Sequence, residues 1–316
     1  MSDIVIAMAP LEGVTTHIFR KVFKKYYKGI DVFYTPFLSA NHTHKFKTRE
    51  KKEYLPYDSQ LIPQLITNST DDFMWGCNVL KDAGYKEVNL NAGCPSNTVF
   101  SKRKGAGMLF DTYEYERFLD DIFNEKAAHD LPDISIKTRI GVYDKEEAKE
   151  LAKIYAKYPI KELIIHPRLK KDFYKNNVDL DAFEIMCKTL NAGKYNTKIM
   201  YNGDITDTDM AHLILERFVD INRIMIGRGL VADPELAEKI KGISGGDKNR
   251  LLSFHNDLII EYTGELSGER DVLFKMKELW AYMGVNYKKY EKCLKTIRKT
   301  KSLKEYEAAA GYILES

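Results

Sequence analysis

A chain of 316 residues, 44% apolar and 30% charged, has the makeup of a soluble globular protein, with room for one large domain or two ordinary ones. No apolar run approaches the roughly 20 residues of a bilayer span, and Met1-Ser2-Asp3-Ile4-Val5 has neither a basic start nor a cleavage signature, so no membrane insertion and no export signal are expected. The net charge of +3 points to no partner by itself; Cys77, Cys94, Cys187 and Cys293 form no C-x-x-C pair, which argues against zinc and disulfides and for a reduced, cytoplasmic compartment.

Ile4 to Met8 reads as a buried strand, closed by Ala9-Pro10-Leu11-Glu12-Gly13, and Thr15 or Thr16 is placed to cap a helix running to Tyr27. Asp31 to Thr35 is a second strand, and the polar stretch from Asn41 to Ser59 a loop or short helix. Leu61 to Ile66 is a third strand, although Pro63 is awkward in a central position. A helix from Asp71 to Ala83 ends at Gly84. The fourth strand, Lys86 to Asn91, alternates Val88 and Leu90 with Asn89 and Asn91 and runs into the breaker Gly93-Cys94-Pro95. A basic, glycine-bearing loop follows, Ser101 to Gly107, with Lys102, Arg103 and Lys104.

Helix Thr112 to Ala128 precedes strand Ile134 to Arg139, and helix Lys145 to Lys157 precedes strand Glu162 to His166. A helix near Leu180 to Leu190 leads to strand Lys198 to Asn202, then Gly203-Asp204 and a helix to Arg217. The eighth strand, Arg223 to Gly227, is followed by Arg228-Gly229 and a short helix, Pro234 to Lys241. Eight such repeats over about 240 residues predict an α/β fold, a TIM (β/α)8 barrel over residues 1–241. A dinucleotide-binding sheet is rejected: the nearest match to its fingerprint, Gly105 to Phe110, lacks the last glycine.

Gly242 to Asp247 reads as a linker into a C-terminal all-helical bundle, residues 242–316, with helices at Leu251–Tyr262, Asp271–Met283, Tyr287–Thr300 and Leu303–Ile313. Its third helix carries Lys288, Lys289, Lys292, Lys295, Arg298 and Lys299, with Lys301 and Lys304 beyond and only Glu291 opposing them.

In a barrel the functional face lies at the C-terminal strand ends. There stand Gln64, Asn91, Cys94, Lys137, Arg139, His166, Arg168, Asn202, Asp204, Gly227 and Arg228. Singly, each could be a satisfied core polar group. Their recurrence at nearly every strand end is a different matter, because burying so many unpartnered would be costly. Asn91 offers donor and acceptor, and Cys94 a proton or a nucleophile. The glycine-bearing loops after strands seven and eight, with Arg228, suit a phosphate. A cofactor anchored there would extend across the mouth, with Lys137 near a ring that becomes electron-rich on reduction and Cys94 facing a substrate stacked on it.

These residues resemble, in order and over nearly the whole chain, the tRNA-dihydrouridine synthases. Met8-Ala-Pro10-Leu-Glu-Gly-Val-Thr15 is similar to that family's opening M-A-P-M-E-G-V-T; Asn89-Leu-Asn91-Ala-Gly93-Cys94-Pro95, with Val99 and Gly105-Ala-Gly107, resembles its N-x-N-x-G-C-P signature. Lys137-Thr-Arg139-Ile-Gly141, His166-Pro-Arg168, Asn202-Gly203-Asp204-Ile205 and Met225-Ile-Gly227-Arg228-Gly229 follow suit. The resemblance implies flavin mononucleotide (FMN) held by Pro10, Gln64, Lys137, His166, Asn202, Gly203, Asp204, Gly227 and Arg228. It implies Cys94 as general acid, with Asn91 and Arg139 holding the uracil, and a helical domain that binds tRNA.

The implied reaction reduces a uridine of tRNA with hydride from the flavin, which NADPH or NADH reduces in turn. Lys102, Arg103, Lys104, Lys288, Lys292, Lys295, Arg298 and Lys299 would contact the tRNA, and a monomer without an obligate protein partner is expected. Two stretches depart from the family pattern. His166-Pro167-Arg168-Leu169 replaces H-G-R-T or H-T-R-T, and Pro167 removes a backbone donor. Lys277-Glu-Leu-Trp280-Ala-Tyr282 follows K-x-H-x-x-W-Y only loosely. The rival readings are a flavin barrel that reduces a free pyrimidine or an enone, and an RNA-binding barrel without catalysis.

Overall fold

The computed structural model describes residues 4–243, 245, 247 and 249–315, except the side chain of Lys288; of the expected linker, Ser244 and Gly246 fall outside. Its strands are β1 (Val5–Met8), β2 (Val32–Tyr34), β3 (Leu38–Ser39), β4 (Leu61–Ile62), β5 (Gln64–Ile66), β6 (Glu87–Ala92), β7 (Asp133–Arg139), β8 (Glu162–His166), β9 (Lys198–Tyr201) and β10 (Arg223–Ile226). They form one parallel sheet in the order β3-β5-β6-β7-β8-β9-β10-β1-β2-β4. The two ends of this order are pieces of neighbouring strands. β2 pairs with β4 and β3 with β5, so the second and third strands close the ring. Merging the pieces leaves eight parallel strands, the TIM barrel expected.

Pro63 is where the third strand divides. Lacking an N–H it cannot continue the ladder. Its carbonyl still accepts from Asn89 N at 2.9 Å, and Gln64 N turns to Thr35 Oγ1 at 2.9 Å. A side-chain hydroxyl thus replaces a ladder acceptor at the break.

Alternation along each strand sorts the side chains. Ile6, Leu65, Leu90, Ile136, Leu163 and Ile165 face the surrounding helices. Ala7, Tyr34, Ile164, Met200 and Met225 fill the lumen, fully buried. Below them Glu162 pairs with Arg223 and accepts from Tyr34 Oη at 3.0 Å, closing the floor. Above them the register sets Gln64 beside Asn89, Asn91 beside Lys137, and Arg139 beside His166 on the inner face. The polar residues noted at the strand ends therefore converge on one mouth.

Several local expectations change. Thr16 takes the N-cap position of helix His17–Tyr26, but neither threonine supplies a capping side-chain bond. Thr16 makes no capping bond, while Thr15 Oγ1 accepts from Leu11 N at 2.8 Å and donates to Ala9 O at 3.1 Å, tying the first loop to itself. The polar stretch after β3 does contain a short helix, Thr48–Tyr54, as expected. Helix Asn97–Phe100 precedes the expected loop Ser101 to Gly107, whose last three residues enter a 3₁₀ turn, Gly105–Phe110, and Arg228 opens a short helix, Arg228–Ala232. The helix expected from Tyr287 begins later, as Glu291–Lys299. A 3₁₀ segment, Gly284–Tyr290, precedes it because Tyr287 leaves helical space at φ −116°, ψ 32°.

The C-terminal helices Arg250–Glu265, Glu269–Met283, Glu291–Lys299 and Leu303–Leu314 pack together and against the barrel. Phe254 meets Phe19, Phe23 and Tyr27 edge to face, and Lys21 and Lys25 pair with Glu261 and Asp257 beside them. Inside the bundle, Tyr306 Oη accepts from Trp280 Nε1 at 2.7 Å and lies 2.6 Å from His255 Nε2. Burial brings that imidazole down to about 4, so it is neutral and accepts from the tyrosine. Helix Glu269–Met283 rests on Arg228–Ala232, and Lys275 Nζ reaches Gly13 O at 2.7 Å. Among the described residues no helix is long and apolar enough to cross a membrane.

Candidate active site

The turn at the end of β6 is built by amides. Asn91 Oδ1 accepts from Gly93 N at 3.1 Å and Cys94 N at 2.9 Å, which folds the chain sharply and fixes the thiol's base. Asn91 Nδ2 donates to Gln64 Oε1 at 2.7 Å, Gln64 Nε2 to Asn89 Oδ1 at 2.8 Å, and Asn89 Nδ2 to Ser135 Oγ at 3.0 Å. This buried relay leaves Gln64 behind the mouth, both ends of its amide engaged. From outside, Gly105 lies on the cysteine. Its φ is +58°, and an added Cβ would sit 2.9 Å from Cys94 Cβ, so only glycine fits.

Cys94 lines a cavity of about 220 Å³ with Pro10, Glu12, Phe37, Asn91, Lys137, Arg139, His166, Tyr174 and Tyr282. Burial pushes its thiol above the ordinary 9.0; Glu12 adds to this, while Lys137 and Arg139 oppose it. Lys137 Nζ has no hydrogen-bond partner among the described residues, and burial with Arg139 beside it brings the amine down to about 7. Arg139 is a brace. Nε donates to Gly93 O at 3.0 Å, Nη1 to Leu169 O at 2.9 Å and Nη2 to Phe173 O at 3.0 Å. His166 is held neutral by burial and by the surrounding Arg139, Lys137, Arg168 and Arg228. Its Nε2 accepts from Arg168 Nη1 at 3.2 Å, which assigns the ring proton to Nδ1.

The loops after β9 and β10 hold the remaining candidates. Asn202 Nδ2 donates to Met225 O at 2.9 Å. Asp204 accepts from both nitrogens of the Arg168 fork and from Arg228 Nη2 at 2.6 Å. Burial opposes ionisation, yet the two arginines hold this carboxyl below its ordinary range. Asp204 thus orients two cations. Gly203, expected to let a ligand approach closely, has Tyr201 as its neighbour instead: an added Cβ would fall 2.0 Å from the tyrosine hydroxyl. Gly227 precedes the first turn of Arg228–Ala232, and the Arg228 guanidinium lies 4.6 Å from the centre of the Tyr174 ring.

Glu12, Phe37, Tyr174 and Tyr282 are not among the strand-end candidates because they come from loops and from the appended helices. Tyr282 does stand in the loosely matched Lys277–Tyr282 stretch. Arg168, noted at its strand end, emerges as the partner of both His166 and Asp204.

The basic residues divide. Lys102 and Lys104 line a groove of about 760 Å³ with Lys47, Arg49 and Lys275, which shares Glu12 and Phe37 with the Cys94 cavity. Arg103 turns to the other side of its loop, 3.9 Å from the centre of the Phe110 ring. Lys292, Lys295, Arg298 and Lys299 are exposed around buried Leu294 and Ile297, and Lys295 pairs with Glu291 at 2.7 Å. The Lys288 side chain lies outside the described residues.

Comparison with known proteins joins these observations. Among solved structures, morphinone reductase in complex with tetrahydroNAD overlays with a TM-score of 0.52 at 12% identity, covering 77% of this chain and 88% of that one. The old yellow enzyme from Trypanosoma cruzi does so with a TM-score of 0.52 at 12% identity, covering 82% and 93%. At such identity these likenesses speak for the barrel. A probable tRNA-dihydrouridine synthase of Staphylococcus epidermidis is 29% identical over 236 residues, 73% of this chain and 70% of that protein. The probable tRNA-dihydrouridine synthase 2 of Bacillus subtilis is 28% identical over 263 residues, 82% and 79%. The sequence model of the family Dihydrouridine synthase (Dus) matches residues 7–310, from β1 through the last helix, so the barrel and its appended helices together belong to the dihydrouridine synthase family.

Proposed function

We propose that this chain is a flavin-dependent tRNA-dihydrouridine synthase. It binds FMN across the barrel mouth and saturates the C5–C6 bond of a uridine in tRNA, with NADPH or NADH as reductant. In this reading residues 1–241 form the catalytic barrel and 242–316 the RNA-binding unit. The donor set suits FMN. Lys137 brings an unpartnered amine to the cavity for a ring that gains electron density, with neutral His166 and Asn202 nearby. Arg228, at the first turn of its helix, suits the phosphate. Pro10 lines the same cavity, while Gln64, Gly203 and Asp204 act one layer back, on Asn91, Tyr201 and Arg228.

When bound, the flavin supplies a hydride to C6 of the uracil, replenished from the nicotinamide. Cys94 supplies the proton to C5: its S–H bond breaks as the C–H bond forms, and solvent reprotonates the thiolate afterwards. Burial keeps the thiol protonated at neutral pH, as a general acid requires. Asn91 retains one amide N–H, and Arg139, with three of its five donors engaged, retains two for the uracil carbonyls. Turning a base out of its stack costs a few kcal/mol. Phosphate contacts from Lys102 and Lys104 beside the cavity, and from Lys292, Lys295, Arg298 and Lys299, offset this cost.

The observation that carries the reading is that the Cys94 thiol and the unpartnered Lys137 amine line one cavity, in a member of this family. Its test is Cys94→Ala. The purified variant should stay yellow and lose dihydrouridine formation in tRNA by roughly 10²–10⁴-fold. Full activity in that variant sinks the acid role. Wild-type activity on free uracil exceeding that on tRNA would replace the reading with a pyrimidine reductase.

A further inference from the structure

Across the mouth from the appended helices, the loops after β6, β7 and β8 carry a feature that the proposed reaction does not use. The Phe100 and Phe110 rings meet edge to face at 6.3 Å, and Phe110 and Tyr143 at 6.0 Å. Phe110 is 46% exposed and Tyr143 55%, an apolar ledge open to solvent. The exposed Arg103 guanidinium sits 3.9 Å from the centre of the Phe110 ring, and Lys170 Nζ 4.3 Å from that of Phe100. Of the carboxylates nearby, three face backbone amides, while Glu114 pairs with Arg117. Asp111 accepts from Glu114 N, Asp144 from Glu146 N, and Glu147 from the amides of Val142, Tyr143 and Asp144. Lys170 N and Lys171 N donate to Gly141 O at 2.9 Å and Val142 O at 3.3 Å, lacing two of the loops together. The ledge is therefore preformed, with one guanidinium and one ammonium set on its rings, and it borders the catalytic turn through Gly105.

Aromatic faces interleaved with arginine and lysine match what unpaired nucleotides require: any base has a π-face to stack, and its phosphate a charge to neutralise. We propose that this ledge is a second RNA-contact surface, on which an unpaired base of the tRNA, near the uridine in the cavity, stacks against Phe110, Tyr143 and Arg103. The inference rests on the tRNA reading above and adds the side of the mouth opposite the basic helix. The RNA would then be held from both sides of the reacting base.

The test is the affinity of full-length, flavin-loaded protein for a transcribed tRNA at fixed salt, read by fluorescence anisotropy. Phe110→Ala and Tyr143→Ala should each weaken binding roughly 5- to 150-fold, the range for removal of a base–aromatic stack. The aromatic swaps Phe110→Tyr and Tyr143→Trp should bind like wild type, and flavin content and circular dichroism should match throughout. Wild-type affinity in the double alanine variant overturns the proposal. So does a double variant that binds normally but sediments as a smaller species, which would assign the ledge to self-association. Failure of the wild-type protein to bind tRNA would instead defeat the functional reading, and this inference with it.

Discussion

Replacing Lys137 by methionine tests the electrostatics of the cavity most directly. The amine ordinarily titrates at 10.5, and its surroundings bring it down to about 7. At about 1.36 kcal/mol per pH unit, keeping the amine charged in the folded protein costs up to about 5 kcal/mol. The side chain is only half-buried, so water relaxes part of this, and about 2–3 kcal/mol is expected. The sign follows from linkage. Between pH 7 and 10.5 the unfolded chain binds more protons at this site than the folded one, so the stability of the flavin-free protein rises with pH across that window. Lys137→Met removes both the cost and the slope. The variant should be about 2–3 kcal/mol more stable than wild type near pH 6 and equal to it above about pH 10.5. Urea unfolding of flavin-free protein, followed by circular dichroism, measures both. Equal stability near pH 6 would refute the reasoning, because it would mean that something compensates the buried charge. The same variant should hold flavin more weakly, since the cation facing the cavity is gone.

Three further outcomes are expected. Because burial lifts the Cys94 thiol above 9.0, single-turnover dihydrouridine formation in Lys137→Met, which removes the separate titration of that amine, should stay level through neutral pH and fall only in the alkaline range; a decline in that variant that begins below about pH 8 would mean a different acid. Tyr306→Phe leaves the Trp280 N–H and the neutral His255 unsatisfied in the bundle core, and should lower unfolding stability by about 1–3 kcal/mol in chemical denaturation. Reversing Lys292 and Lys295 to glutamate should weaken tRNA binding and reduce its salt slope by about one for each phosphate no longer neutralised, with the flavin spectrum unchanged; an unaltered slope would leave these lysines a solvated helix face.

Much of the barrel is legible in the chain because each strand is a short apolar run bounded by breakers, and such runs recur with a helix-length spacing. Pro63 stands out locally as a break in its strand, but the remedy, a hydroxyl borrowed from Thr35, depends on a residue 29 positions from Gln64. The same distinction runs through the site. That Cys94, Asn91, Lys137, His166 and Arg228 face one mouth follows from the position of strand ends in this fold. How each uses its hydrogen bonds does not. Asp204 is committed to Arg168 and Arg228, 36 and 24 residues away, and Gln64 to Asn89 and Asn91. Gly203 reads locally as room for a ligand, yet the hydroxyl of Tyr201 already claims that space. Local pattern names the residues that converge; long-range packing decides which of them stay free to meet a substrate.

Tyr282 lines the Cys94 cavity from a helix that otherwise belongs to the appended bundle, and Lys275 on the same helix grips the loop after β1. The reaction chamber is therefore completed by the part of the chain that, in the proposed function, also grips the nucleic acid. A barrel expressed without residues 242–316 would lack one side of its own chamber, and grafting a relative's tail onto it would exchange that side too. Substitutions in helix Glu269–Met283, the one that carries Tyr282 and Lys275, should accordingly alter turnover although the helix lies outside the barrel.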